Sequence, residues 1–389
     1  MGATDMQTMT LSQTCAMAIL QAVAVVIFIF IVVPLTTFAE RKVLGYLQDR
    51  LGATRIAGSR NGLTGALNRG MWWMGKVPML SILRGLPMFI GDIVKLLTKE
   101  DIIPDKADRA IFIIAPALSM IASVVVFAAI SFYPGALFTF PKFVPIVGGL
   151  PFSGFITDMN VGLLFILGVA SVGVYGIVLG AWSSNSKFPL LGGLRSAAQI
   201  VSYEVPLTLS LLVPVVLAGS LNFNEMTRMV ATRMPIWAVP LLFVGFFVYF
   251  TCGFAETNRI PFDMPEAENE LVAGFHTEYS GMKFGFFYLA EYINMIVVSA
   301  LASAFFLGGP FLLPFGLQSF VPAATPFIGG PNVIWFLLKI FFLLFTFIWV
   351  RGTIPRYRYD QIMAIAWKYL IPFTLVDVAL AALLRFYMA

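Results

Sequence analysis

Long apolar segments alternate with short polar ones along this chain. The apolar segments are continuous over about 20 residues and lack the alternation of barrel strands, which predicts membrane-spanning helices. The first segment is longer than a signal-peptide core and no basic residue precedes it, so we expect it to be retained. Eight spans are predicted, at residues 16–38, 110–131, 161–182, 197–218, 236–255, 284–307, 333–350 and 363–386. This pattern indicates an all-α polytopic membrane protein whose residues 1–389 form a single membrane domain.

The loops between these spans differ sharply in charge. Twelve Lys and Arg residues lie in the loop 39–109, and the loops 183–196, 256–283 and 351–362 raise the number to nineteen. The alternate loops and the C-terminal end hold four. Because basic loops stay on the cytoplasmic side, this asymmetry predicts a multi-pass protein with its basic and acidic loops in the cytoplasm and both termini opposite.

The first loop is more than a linker. Residues 85–98 place Leu86, Phe89, Ile93 and Leu97 at helical spacing, with charged residues near the other face. This pattern predicts an amphipathic helix that lies along the membrane surface. In contrast, the stretches 134–153 and 308–331 are rich in Pro and Gly, and they predict irregular loops on the opposite side.

Composition excludes several classes of function. Hydrophobic residues make up 59% of the chain and charged residues 12%, and there are two Cys and one His. No Cys/His cluster predicts a metal or iron–sulfur site, and no phosphate-binding loop follows a strand. The net charge of +5 reflects the basic loops of a membrane protein and does not indicate nucleic-acid binding. We therefore expect this chain neither to bind nucleotide nor to carry electrons.

The loop 256–283 is unusually acidic for this chain. Crowded carboxylates near lipid are costly to ionise, so the cluster favours a proton relay. A structural alternative stays open for two members, because Asp263, Pro265 and Glu266 also form a helix-start pattern. The six acids are Glu256, Asp263, Glu266, Glu268, Glu270 and Glu278.

Two further acids, Glu204 and Glu291, lie inside predicted spans. An acid at that depth is expected to face the bundle interior, either as part of a proton relay or as a hydrogen-bonded link between helices. Among the basic residues, Arg41, Arg50 and Arg259 are candidates to pair with the acidic cluster. For most Arg residues at helix ends, anchoring of topology is the simpler interpretation.

Several motifs together resemble one family, the quinone-site membrane subunit of respiratory complex I, the NADH-quinone oxidoreductase. They cover nearly the whole chain in the family's order. The matching stretches are AERKVLGYLQDRLG (39–52), KLLTKEDIIP (95–104), GAWSSNSKFPLLGGLRSAAQIVSYEV (180–205), FAETNRIPFDMPEAENELVAGFHTEYS (254–280), FFYLAEYINM (286–295) and WVRGTIPRYRYDQIM (349–363).

The resemblance implies a subunit of a proton-translocating NADH:quinone oxidoreductase that is not catalytic alone, in a bacterial inner membrane. Quinone would be the substrate, and NADH, FMN and iron–sulfur clusters would be bound only by partner subunits. The expected partners are the iron–sulfur subunit at the quinone site, small membrane subunits, antiporter-like subunits and lipid. The carboxylates named above would begin the proton path. The quinone chamber would involve Arg41, Arg50, Phe89, Asp92, Arg259 and Phe262.

Two departures from the family lie near the expected quinone entrance. The residues after Gly52 differ from the usual family wording, and residues 61–84 look like an insertion before the surface helix. Two other functions stay open from sequence: the membrane anchor of a related energy-converting hydrogenase, without a quinone tunnel, and a stand-alone ion transporter.

Overall fold

The computed structural model describes residues 11–50, 52, 63–76, 85–140, 150–263, 272–314, 317–320 and 330–388. The helices of this part, in chain order, are α1 (Leu11–Leu47), α2 (Leu63–Lys76), α3 (Met88–Thr98), α4 (Arg109–Val125), α5 (Gly162–Ser183), α6 (Lys187–Ala218), α7 (Phe223–Thr232), α8 (Val239–Glu256), α9 (Gly281–Phe306), α10 (Val333–Thr353), α11 (Tyr359–Ala364) and α12 (Ile371–Met388). Short 3₁₀ segments lie at Val126–Ala128, Ile236–Ala238, Gly274–His276 and Leu317–Phe320.

Eight helical segments of the described chain are long and apolar enough to cross a membrane, as predicted. They are α1, α4, α5, α6, α8, α9, α10 and the continuous segment formed by α11, the π-helix Ile365–Leu370 and α12. The fold class predicted from sequence, an all-α polytopic membrane protein, is confirmed.

Helix α9 forms the centre of the bundle. From Tyr292 to Phe306 every residue except Asn294 is buried, and α9 packs against α4, α8 and α10. Small residues such as Ala300 and Ser303 allow neighbouring backbones to approach closely, which favours packing between membrane helices. The bundle therefore surrounds the helix that carries Glu291.

Helix ends follow ordinary capping chemistry. Asp108 accepts hydrogen bonds from the backbone N–H groups of Ala110 and Ile111 at the start of α4. Asn332 accepts one from Ile334 at the start of α10. These side chains satisfy N–H groups that have no partner inside the helix.

Two spans are longer than hydrophobicity predicts. Helix α1 continues to Leu47, past the predicted end at residue 38, and α6 begins at Lys187 instead of residue 197. Glu, Arg and Lys are good helix formers, so a change to polar residues does not end a helix. The extension of α1 decides the position of Glu40, as shown below.

The first loop contains the predicted surface helix as α3, three residues shorter at its start. Within residues 61–84, the stretch Leu63–Lys76 forms helix α2. The stretch 134–153 is not wholly irregular, which corrects the prediction from sequence. Strand β1 (Ala136–Thr139) pairs antiparallel with β2 (Pro151–Ser153), and the rings of Phe138, Phe140 and Phe152 pack together across the pair.

Candidate functional site

A buried charge cluster lies where the C-terminal turns of α1 meet α9 and α10. Glu40 is 6% exposed and accepts a hydrogen bond from the Tyr292 hydroxyl at 2.6 Å. Nη1 of Arg259 lies 3.4 Å from both carboxylate oxygens, and Arg351 also donates to Glu40. The Tyr288 hydroxyl lies 2.9 Å from that of Tyr292. We call these five residues the Glu40 cluster.

The charges of the Glu40 cluster are unequal. Two guanidinium groups share one carboxylate, and Arg259 is itself 7% exposed. Its guanidinium stacks over the Tyr292 ring, 4.3 Å from the ring centre, which offsets part of the cost of burial. Nε and Nη2 of Arg259 have no hydrogen-bond partner among the described residues. Arg259 is also close enough to Glu291 for their charges to interact. This guanidinium therefore contacts Glu40 and interacts electrostatically with Glu291.

An apolar cavity of about 470 Å³ lies beside the cluster, between α1, α3 and α9. Its walls are mostly hydrocarbon, and Arg41 and Asp92 supply a salt bridge of 2.7 Å. Tyr288 belongs both to this wall and to the Glu40 cluster. Other lining residues include Phe30, Val33, Thr37, Phe89, Ile93, Leu96, Phe284 and Leu289. We call this space the apolar cavity; its size and lining suit a long apolar ligand.

A second, polar cavity of about 40 Å³ lies inside the bundle between α4, α5, α8 and α9. Both Glu256 and Glu291 line it, together with Asn258, Asn294 and Ser119. Carboxylate and amide side chains can hold ordered water in such a space. The structure thus brings together two of the predicted relay acids, which are 35 positions apart in sequence.

Glu204 lies next to the polar cavity and is hydrogen-bonded to α5. Its carboxylate accepts a hydrogen bond from Ser171, and its charge is close enough to interact with that of Glu256. Ser171 lies between Ala170 and Gly173 on α5, and both of these residues line the cavity. Glu204, Glu256 and Glu291 therefore form one group of acids inside the bundle.

The acidic loop is only partly described. Asp263 is 5% exposed and forms a salt bridge of 2.9 Å with Arg356, and Glu278 is half-buried. The predicted relay residues Glu266, Glu268 and Glu270 lie outside the described residues. The capping role of Asp263 therefore stays a prediction, because the helix that it would begin lies in the same stretch.

The end of the loop is held by Tyr279. Its ring stacks on Phe112 at 4.1 Å, and its hydroxyl donates to the Gly180 carbonyl. Burial raises the pKa of Tyr279 to about 12, so the hydroxyl stays protonated and keeps donating at physiological pH. The loop end is thereby fixed against α4 and α5, next to the polar cavity.

The six residues predicted for the quinone chamber divide into three groups. Arg41, Phe89 and Asp92 line the apolar cavity, and Arg259 lies behind it in the Glu40 cluster. Arg50 and Phe262 do not appear among the described residues that line either cavity. Phe262 packs between the rings of Tyr203 and Tyr357, and its carbonyl accepts from Gln199. The surroundings of Phe262 are those of a packing residue.

Sequence reasoning missed the centre of the site. Glu40, Arg351, Tyr288 and Tyr292 were not predicted as functional, because charges at a helix end usually serve as topology anchors. A signal was present in the chain: Glu40 precedes two basic residues, where an acid gains nothing from the positive-inside pattern. Only the continuation of α1 to Leu47 turns this side chain into the interior.

Comparison with known proteins places this chain in one family. The family model described as NADH dehydrogenase matches residues 20–382. The chain belongs to the NADH dehydrogenase family. A protein of Koribacter versatilis (strain Ellin345), named as a second H subunit of NADH-quinone oxidoreductase, is 42% identical over 376 residues, 94% of this chain and 96% of the relative. The H subunit of NADH-quinone oxidoreductase from Rhodospirillum centenum (strain ATCC 51521 / SW) is 43% identical over 368 residues, 94% of this chain and 93% of the relative.

The family membership predicted from motifs is therefore confirmed over nearly the whole chain. The match begins within α1 and ends within α12, and it covers both cavities and the Glu40 cluster. The two relatives differ from this chain at more than half of the aligned positions. Their likeness shows the family and does not assign roles to individual residues.

Proposed function

We propose that this chain is the membrane subunit that admits quinone to an NADH:quinone oxidoreductase and begins its proton path. One observation carries the proposal: the apolar cavity and the buried Glu40 cluster share a wall residue, Tyr288. Electrons would come from an iron–sulfur partner subunit. Small membrane subunits and antiporter-like subunits would receive the coupling signal at the end of the carboxylate path that is remote from the quinone.

The apolar cavity suits the entry of quinone from the membrane. A quinone carries a long hydrocarbon tail and a small head group with two carbonyl acceptors. The tail would lie against Phe30, Val33 and Leu289, which gains about 25 cal/mol for each Å² of apolar surface buried. The Arg41–Asp92 salt bridge and the Tyr288 hydroxyl supply the polar contacts along the wall.

Coupling would follow from charge. Reduction of a quinone takes up two electrons and two protons, so it changes the charge and the hydrogen bonding next to the chain. Tyr288 and Tyr292 connect the cavity wall to Glu40 by hydrogen bonds of 2.9 and 2.6 Å. Arg259 interacts with both Glu40 and Glu291, so a shift of this guanidinium alters the proton affinity of the acids in the polar cavity.

We test the cavity by filling it. Leu289→Trp adds a large side chain to the wall of the apolar cavity, whereas Leu338→Trp adds the same side chain to α10 at a position that is 51% exposed. We expect Leu289→Trp to raise the apparent KM for quinone while assembly of the complex is retained. Equal kinetics of the two variants would remove the cavity from the quinone route.

The hydrogenase anchor is the main alternative. It needs the carboxylates but no apolar route for quinone, so the open apolar cavity supports the quinone version. For location, we propose a bacterial inner membrane, and the nineteen basic residues in one set of loops support an orientation with these loops in the cytoplasm. A protease that cuts the loop 39–109 only in inside-out vesicles would support that orientation, and cleavage only in right-side-out vesicles would reverse it.

A further inference from the structure

A buried carboxylate outside both cavities belongs to none of the features described so far. Asp377 lies on α12 and is 4% exposed, on a helix whose neighbours Leu375, Val376 and Leu380 point outward. Its Oδ2 atom has no hydrogen-bond partner among the described residues. An ionised acid without a partner is expensive in the membrane interior, so this group calls for an explanation.

The surroundings of Asp377 offer an acceptor and no cation among the described residues. A methyl group placed on Gly245 of α8 would lie 3.6 Å from Oδ2 of Asp377 and 3.5 Å from the Ser210 carbonyl oxygen of α6. That carbonyl lacks its usual helical partner, because Pro214, four residues along, has no N–H. Arg385, two turns further along α12, donates to the Leu217 carbonyl instead.

A carboxylic acid that keeps its proton satisfies this environment. Oδ2 of Asp377 and the Ser210 carbonyl oxygen both lie within 3.6 Å of the Gly245 methyl position, so a protonated carboxyl group can turn its O–H toward that carbonyl, whereas a carboxylate would bring only negative charge to this apolar point. The uncharged ring of Phe306 also packs here, 3.1 Å from the Gly245 methyl position. The geometry therefore selects the neutral acid as the resting form.

One face of α8 connects this position to the polar cavity. Gly245, Tyr249, Cys252 and Glu256 follow at intervals of four, three and four residues, which places them on one side of a helix. Gly245 and Glu256 are about 16 Å apart along the axis. Tyr249 and Cys252 are fully buried on this face.

We propose that Asp377 is a proton-binding site in the half of the membrane beyond the polar cavity, loaded and unloaded through the α8 face during turnover. The proposal rests on the proposed proton-coupling function for its timing, but not for its resting state. In the step, the O–H bond of Asp377 breaks and an O–H bond forms on the carboxylate of Glu256, with the Tyr249 hydroxyl and the Cys252 thiol lying between them on this face. Reprotonation from the same face restores the neutral acid, so no other reactant is needed.

Infrared difference spectroscopy on the whole complex in lipid measures whether Asp377 is protonated. A change of solvent from H₂O to D₂O without electron donor should shift the carbonyl band of a protonated carboxyl group. We expect that band to be lost in Asp377→Asn and retained in Asp360→Asn, a matched change at an exposed acid near the start of the same span. A band that survives Asp377→Asn would overturn the neutral resting state.

Measurement during turnover distinguishes an acid that releases and regains its proton from one that stays protonated. With NADH and quinone, the same band should change during the reaction, and Asp377→Asn should lower the number of protons translocated per electron. Asp377→Glu should restore the ratio with a shifted band, and it reads the site even where the Asn variant fails to assemble. A normal ratio in Asp377→Asn would leave only a static hydrogen-bond donor and overturn the proposal. A parent complex that cannot reduce quinone would instead overturn the proposed function.

Discussion

Glu40→Gln is the sharpest perturbation of the buried cluster. It removes the negative charge that neutralises Arg259 and Arg351 but keeps a carbonyl oxygen for the Tyr292 hydroxyl. Loss of one partner of a buried ion pair costs about 3–5 kcal/mol. The retained hydrogen bond returns about 1 kcal/mol, so we expect a net cost of about 2–4 kcal/mol. That energy shifts the equilibrium against the native arrangement by about 30- to 1000-fold.

The assay is quinone-reductase activity of membranes together with the temperature of half-inactivation of the purified complex. Glu225→Gln is the control. This acid is exposed, and among the described residues its carboxylate accepts a hydrogen bond only from the Ser220 hydroxyl. We expect both quantities to fall in Glu40→Gln and to stay at the parent level in Glu225→Gln. Equal behaviour of the two variants would refute the reasoning.

A double-mutant cycle identifies the cause of that loss. If uncompensated positive charge is responsible, Arg351→Gln should cost less in the Glu40→Gln background than in the parent protein, since it removes one of the two unbalanced guanidinium groups. Additive losses would mean that Glu40 acts by some route other than neutralising Arg351.

Three further predictions concern the rest of the site. Glu256→Gln or Glu291→Gln should lower quinone reduction and proton pumping with assembly intact, because each removes an exchangeable proton from the polar cavity; normal coupled turnover would exclude them from the path. Arg259→Gln should disturb quinone reduction, and an unchanged apparent affinity for quinone would remove this residue from the site. Asp92→Asn breaks a pair with Arg41 in which both side chains are about 40% exposed, so it should cost at most about 1 kcal/mol and change the apparent KM for quinone by less than about tenfold; a larger loss of thermal stability would contradict this.

Hydrophobicity predicted the bundle well because lipid imposes a simple rule on helix length and polarity. The eight spans follow from that rule, and helix α3 follows from its amphipathic pattern. Hydrophobicity could not locate the end of α1, because Glu40 and the basic residues after it are polar but are also good helix formers. The strand pair at Ala136–Thr139 was hidden for a similar reason, since short strands in Pro- and Gly-rich segments depend on pairing with a distant partner.

The sequence predicted those site residues that are acids in or beside an apolar span. Glu204, Glu256 and Glu291 stand out in sequence because they are acids in or beside apolar spans, and the structure brings them together. Asp377 escaped notice although it also lies in an apolar span, because it is isolated and belongs to no recognised motif. Tyr288 and Tyr292 gave no signal at all, since aromatic residues are common in membrane helices. Their proposed roles rest on hydrogen bonds that only the folded chain defines.

The apolar cavity as the quinone route is most directly tested by photolabelling. A photoreactive, quinone-competitive inhibitor would be bound to the assembled complex, activated by light and mapped by peptide mass spectrometry. We predict labels on residues 30–41, 85–99 or 282–289 that disappear when excess quinone is added. Labels confined to other segments, or labels in these segments that quinone does not displace, would contradict the account.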